Sequence, residues 1–209
     1  MQTLIFSSKQ YKPVYDLTRP YIQGEFIEKG LPDNKNPTHW GTVGFNEISK
    51  ITARYCLDEL NRMNEGEVLF YCDSDVLLFE HPQWFADQIG DHDFICQNDK
   101  GTADMGFFVV KSNAQTKKVI EDVINSMDGS NNFQVFFNRM CKDYNLKIDL
   151  FKESDVWNYG VIGRMWNGEE FEIPDNLKAF HANFTVGIEN KIKLLTKAIK
   201  QYETNTINN

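Results

Sequence analysis

The chain has 209 residues, a formal net charge of −8, and 41% hydrophobic, 25% charged and 13% aromatic residues. That length suits one folded domain with a sizeable core, and the acidic balance argues against nucleic acid or an anionic membrane surface as the main partner. No apolar stretch approaches the ~20 residues of a membrane span, and Met1 to Phe6 lacks the basic and long apolar regions of a signal peptide.

Cys56, Cys72, Cys96 and Cys141 are far apart and form no CxxC pair, so free thiols in a reducing compartment are expected. The chain therefore reads as soluble and cytoplasmic.

In chain order, Thr3 to Ser7 is predicted as a strand, and Tyr11 to Ile22 as a helix interrupted by Pro13 and Pro20. The Gly, Pro and Asn content from Gly24 to Gly44 predicts a long loop. Asn46 then caps a predicted helix reaching about Met63. Ile48, Ile51, Tyr55, Leu60 and Met63 recur on one face there, while Lys50 and Arg54 share another.

Val68 to Cys72 is an apolar strand that runs into Asp73-Ser74-Asp75 and the apolar Val76 to Phe79. A turn at Glu80-His81-Pro82 precedes a short helix from Gln83 to Ile89. Asp93 to Gln97 and Gly106 to Lys111 are predicted strands, and Ala114 to Met127 and Phe133 to Tyr144 predicted helices. The Trp- and Gly-containing stretch from Asp155 to Glu172 takes no assignment. Leu177 to His181 is a short strand, and Ile188 to Tyr202 a basic amphipathic helix. The alternation of strands and helices implies a single α/β domain over residues 1–203, followed by a polar tail at 204–209.

Two clusters carry chemistry. Carboxylates at the end of a buried strand are costly to desolvate, and a divalent cation held by hard oxygen ligands accounts for Asp73 and Asp75. The plainer alternative is a turn or cap, where Asp-x-Asp also occurs. In the second cluster, His181-Ala182-Asn183-Phe184-Thr185-Val186-Gly187 ends a strand and Lys191 follows on a helix. An imidazole suits a metal, Gly187 permits close backbone approach, and Lys191 offers charge to a phosphate. A lone His is otherwise a packed core residue.

Together these clusters resemble the DxD glycosyltransferases of the GT-A fold, in particular the nucleotide-diphospho-sugar transferase family. The similarity runs in order from about Ile48 to Lys191. Tyr71-Cys72-Asp73-Ser74-Asp75-Val76 matches the strand and aspartate motif, and Asp104-Met105-Gly106-Phe107 is similar to the family's Asn-x-Gly-Phe. Phe133-Gln134-Val135-Phe136-Phe137-Asn138 resembles Asp-Gln-x-x-x-Asn, and the His181 to Lys191 segment resembles the closing His-Ala-Asn…Gly…Lys. Asp104 stands where the family has Asn and Phe133 where it has Asp. In relatives both positions lie close to the donor sugar.

The resemblance implies a single GT-A-like, Rossmann-like domain with a mixed, mostly parallel central sheet flanked by helices. It implies an enzyme that moves a sugar from a nucleoside-diphosphate sugar, UDP- or GDP-linked, to a glycan or other hydroxyl acceptor. A Mn²⁺ or Mg²⁺ ion would be held by Asp75 and His181, and by Asp73 directly, through water, or with Asp73 holding the ribose instead. Ser74, Gly187 and Lys191 would meet the diphosphate, and Phe6, Ser7 and Ser8 the base and ribose, with Lys50 or Arg54 approaching. Gln134, Asp104 and Asp155 would surround the sugar. Asp104 and Asp155 are the base candidates for an inverting reaction, whereas Gln134 matches the residue that retaining relatives place below the sugar, and the family precedent leans to retention. Trp40, Trp157 and Trp166 either stack on acceptor sugars or pack in the core. Two rivals remain. A haloacid dehalogenase-type phosphatase would use Asp73 as nucleophile and Asp75 as acid/base, but Gly90-Asp91-His92-Asp93 lacks the spacing of its later metal motif. The other is a nucleotide-sugar-binding module without catalysis.

Overall fold

Apolar runs that alternate toward two different layers build the centre of this protein, and a computed structural model describes residues 1–33 and 39–208. The main sheet joins β1 (Gln2–Ser7), β2 (Ile27–Gly30), β3 (Val68–Cys72), β5 (Phe94–Asp99), β6 (Thr102–Lys111) and β7 (Ile148–Leu150) in the order β2-β1-β3-β6-β5-β7. Pairs β1–β2, β1–β3 and β5–β7 are parallel, while β6 runs antiparallel to β3 and β5. A second sheet has the order β4-β9-β8, from Val76–Leu78, Ala179–His181 and Val156–Asn158.

Because side chains alternate along a strand, Leu4, Leu69, Tyr71, Phe108 and Val110 face one layer and Ile5, Phe70, Cys72, Phe107 and Val109 the other. Helices α2 (Val43–Arg62), α4 (Ala114–Ser126) and α5 (Phe133–Met140) cover the first face. Phe85 of α3 (Pro82–Asp87) and Phe151 close the second. Helices α1 (Lys12–Thr18) and α6 (Ile188–Asn208) pack on the small sheet, burying Val14, Leu194, Leu195 and Ala198. A buried sheet flanked by helices accounts for the near-continuous apolar runs.

Several local expectations need correction. Strand β2 lies inside the predicted loop from Gly24 to Gly44, of which residues 34–38 fall outside the described residues. With four residues at a sheet edge and only alternate positions half buried, β2 leaves little apolar signal. Thr42, not Asn46, caps α2, accepting from Phe45 N through its side chain. Asn46 is buried and donates instead to Gly129 O at 2.8 Å. The buried face of α2 is Thr52, Ala53, Cys56, Glu59 and Leu60, so Ile48 and Ile51 are left half buried.

The β5–β6 hairpin is longer than expected and draws Asp104 inside a strand. Helix α5 stops at Met140, with a 3-10 turn over Cys141–Asp143, and α6 continues past Tyr202 to Asn208. Cys56, Cys72 and Cys96 are free and buried, while Cys141 is free and half buried. No helix among the described residues is long and apolar enough to cross a membrane.

Candidate active site

Where β3 ends, the chain passes from the large sheet to the small one, and the aspartate pair occupies that step. Asp73 N donates to Gly106 O of β6 at 2.8 Å, and Val76 N donates back to Asp73 O at 3.3 Å, closing a turn. Strand β4 then pairs with β9 so that Val76 stands opposite His181. Ala182 N donates to Asp75 O at 2.9 Å. Segments about a hundred residues apart in sequence thus meet by strand register, not by a local motif.

The outcome is a compact donor set. His181 Nε2 lies 3.4 Å from Asp75 Oδ1 and 3.9 Å from Asp73 Oδ2. One ligand atom from each of the three residues falls within 4.8 Å of the others. Asp75 and His181 are buried, whereas the Asp73 side chain is 44% exposed. Tyr71 donates its phenol to Asp73 Oδ1, which leaves Oδ2 on the side of His181. A Cβ at Gly106 would lie 2.6 Å from Asp73 Oδ2 and 2.8 Å from His181 Cε1, so the absence of a side chain there keeps the cradle open. Two carboxylates and one imidazole are ligand types that hold a divalent cation such as Mn²⁺ or Mg²⁺. The residues present fit that group.

The electrostatics are those of a site short of positive charge. Partial burial and the neighbouring Asp75 carboxylate push Asp73 up to about 7. Burial alone would raise Asp75, but Lys191 and His181 outweigh it and hold its carboxyl well below the usual carboxylate range. Burial opposes a charge on His181, yet the carboxylates of Asp75, Asp104 and Asp73 lift it to about 8. Lys191 is likewise raised, because Asp75 outweighs its own burial. Its ammonium donates to Asp75 Oδ2 and, at 2.7 Å, to Ala182 O.

Next to the triad, Asp104 accepts from Gly106 N at 2.8 Å and from Asn183 Nδ2 at 2.7 Å, and burial raises its pKa. Gln134 opens α5 and bridges the β5–β6 hairpin. Its Nε2 donates to Asp99 Oδ2 at 2.8 Å, and its Oε1 accepts from Met105 N at 3.3 Å. A cavity of about 650 Å³ unites Asp73, Ser74, Asp75, Asp104, Gln134, His181, Gly187 and Lys191. That volume is in the range that small-molecule ligands fill.

Four expected residues, Ser7, Lys50, Arg54 and Asp155, are not brought into this cavity. Ser7 follows Phe6 on β1 and so points to the opposite face, where it donates to Glu28. Phe6 and Ser8 line the cavity in its place. Lys50 donates to Met127 O and flanks, with Arg54, a shallow depression that adjoins the cavity through Pro32, Asp33 and Ile48. Asp155 precedes β8, outside the cavity lining, and its carbonyl accepts from Lys178 N and Ala179 N. Trp157 and Trp166 are core residues, 5% and 3% exposed, while Trp40 is 57% exposed on the cavity wall.

Asp99 and Gln97 were not singled out by the sequence, and Tyr71, which heads the aspartate motif, was given no role of its own. Asp99 ends β5 without any motif around it, and Gln97 reads as an ordinary strand residue.

Comparison with known proteins agrees with the fold. The family described as nucleotide-diphospho-sugar transferase matches residues 2–195. No curated protein matches the sequence. Among solved structures, the galactosyltransferase LgtC in complex with donor and acceptor sugar analogues superposes with a TM-score of 0.56 at 10% identity, covering 94% of this chain and 95% of that one. A glycosyltransferase involved in glycosylation of the major capsid of PBCV-1 gives 0.60 at 10% identity, covering 94% and 100%. Mouse xyloside xylosyltransferase 1 gives 0.53 at 8% identity, covering 87% and 97%.

Proposed function

Because this chain belongs to the nucleotide-diphospho-sugar transferase family and is a glycosyltransferase of the GT-A fold, we propose that it transfers a sugar from a UDP- or GDP-linked donor to a carbohydrate hydroxyl with the help of Mn²⁺. Asp75, His181 and Asp73 would hold the cation. When bound, that ion supplies positive charge to a diphosphate leaving group, the largest expected contribution in such a transfer.

The protein's own groups share the remaining work. Lys191, now paired with Asp75, lies close enough to the triad to take up part of the phosphate charge. Ser74 and Gly187 line the same cavity, and Gly187 has a positive φ of 89° that favours a residue without a side chain. Phe6, Ile48 and Thr52 offer an apolar slot for the nucleoside.

Around the sugar, Gln134 and Asp104 are the polar groups. An inverting reaction needs a carboxylate free to accept a proton from the acceptor. Asp155 does not line the cavity, and Asp104, which accepts from Gly106 N and Asn183 Nδ2, keeps a second lone pair on each oxygen. Retention of configuration, with Gln134 beneath the sugar, therefore rests on the likeness of Gln134 to the residue that retaining relatives place there.

The triad at the cavity floor is the observation that carries this function. A thermal-shift panel of UDP- and GDP-sugars with Mn²⁺ tests it, since a ligand that binds only the native state raises the transition. One donor series should stabilise the protein in a Mn²⁺-dependent way, and no shift with any donor would count against the proposal.

A further inference from the structure

His181 has two ring nitrogens, and only one can serve the triad. Nε2 faces Asp75 and Asp73. Nδ1 lies 2.6 Å from Gln97 Oε1, both side chains being buried. Asp104 Oδ2 is the other acceptor near Nδ1, but at 3.7 Å it is too far for a hydrogen bond and is taken by Asn183.

Gln97 is an unusual residue for its position. It is fully buried in β5, and its Nε2 has no hydrogen-bond partner among the described residues. A buried amide nitrogen without a partner is costly to desolvate, so an apolar side chain would sit there more cheaply. Strand pairing is also irregular at this point. The register between β5 and β6 shifts between Cys96 and Gln97, so that Cys96 faces Phe108 but Gln97 faces Asp104. Irregularities of this kind re-aim side chains near active sites. Here the shift gathers Gln97, Asp104 and Gly106 around His181.

We propose that Gln97 is a positioning residue that fixes the His181 tautomer: its carbonyl holds the proton on Nδ1 and leaves the Nε2 lone pair facing Asp73 and Asp75 as a metal ligand. This rests on the metal assignment proposed above. With the amide reversed, Nε2 of Gln97 would donate to Nδ1, the ring proton would sit on the carboxylate side, and the ligand would be lost. A hydrogen-bond partner on the distal nitrogen is the usual way a protein orients a histidine ligand.

The test pairs two measurements on the whole chain. In ¹⁵N NMR of the metal-free wild type at alkaline pH, where the imidazole is neutral, His181 should show a protonated Nδ1 and an unprotonated Nε2. The opposite tautomer overturns the proposal whatever the variants do. In titration with Mn²⁺ alone, Gln97→Leu should weaken binding by about 10–100-fold, as is typical when the partner of a histidine ligand is removed. Gln97→Glu keeps an acceptor oxygen and should hold affinity near the wild-type value. Unchanged affinity in Gln97→Leu, or an equal loss in Gln97→Glu, also overturns it. A wild type that binds no Mn²⁺ would overturn the metal assignment itself, while the NMR signature would still decide the tautomer.

Discussion

Replacing Gly106 by Ala tests how tightly the triad is held. The added methyl would lie 2.6 Å from Asp73 Oδ2, 2.8 Å from His181 Cε1 and 3.1 Å from Asp104 Oδ1. Against an ordinary contact of 3.4 Å, Asp73 must yield by about 0.8 Å and His181 by about 0.6 Å. Backbone retreat is resisted on both sides of the residue, because Gly106 O accepts from Asp73 N and Gly106 N donates to Asp104. His181 is buried, so Asp73, the more exposed of the two, should move most.

Ligand groups need placement within about 0.5 Å, and a misplacement near 1 Å costs on the order of 100-fold in rate. Gly106→Ala should therefore lower Mn²⁺ affinity and turnover by one to two orders of magnitude. Overpacking should cost only about 1–3 kcal/mol of stability. Calorimetric Mn²⁺ titration alongside a denaturant melt separates the two effects. A folded variant with wild-type Mn²⁺ affinity would refute the crowding argument, and with it the place of the ion between Asp73 and His181.

Other outcomes follow from the same geometry. In the metal-free protein Asp73 is raised to about 7 and His181 to about 8, so the folded state binds more protons than the unfolded chain, and their contributions fade as pH rises through those values. The metal-free melting temperature should accordingly fall as pH rises from about 3.8, where Asp73 ionises in the unfolded chain, to about 8, whereas Mn²⁺ affinity should rise over that window; a flat melting profile would contradict the raised values. Lys191→Ala removes one of the two cationic partners of the buried Asp75 carboxylate and leaves His181, so it should destabilise the metal-free protein by less than the about 3–5 kcal/mol of a fully unpaired buried charge, with much of the loss recovered by Mn²⁺ in a chemical melt. Gln134→Ala should reduce turnover at least tenfold while leaving donor affinity within a factor of three, and an unchanged rate would remove Gln134 from the site.

The site was more legible than parts of the fold. Asp73 and Asp75 stood out because carboxylates at the end of an apolar strand require a reason, and His181 because Gly187 and Lys191 follow it. The ordered resemblance then joined segments that periodicity could not. Strands β7 and β8, of three residues each, and β2, of four, carry too little pattern to rise above their loops.

Ser7 shows a signal that was available and not used. Alternation along β1 sets Ser7 opposite to Phe6, so the two could not both face the nucleotide. Lys50 and Asp155 needed tertiary information, since nothing local reveals that Lys50 reaches Met127 O or that Asp155 lies outside the cavity lining. Gln97 was invisible for the same reason: its importance comes from strand register and the ring it touches, not from its neighbours in sequence.

The central claim is that Asp73, Asp75 and His181 hold a divalent cation beneath a nucleotide-sugar diphosphate. Release of nucleoside diphosphate from a panel of UDP- and GDP-sugars, with and without Mn²⁺, tests it most directly when wild type and Asp75→Asn are compared. Turnover of one donor by the wild type that vanishes on chelation, and its loss in the folded Asp75→Asn protein, is the predicted result. Release that persists without a divalent cation, or in Asp75→Asn at the wild-type rate, would contradict it.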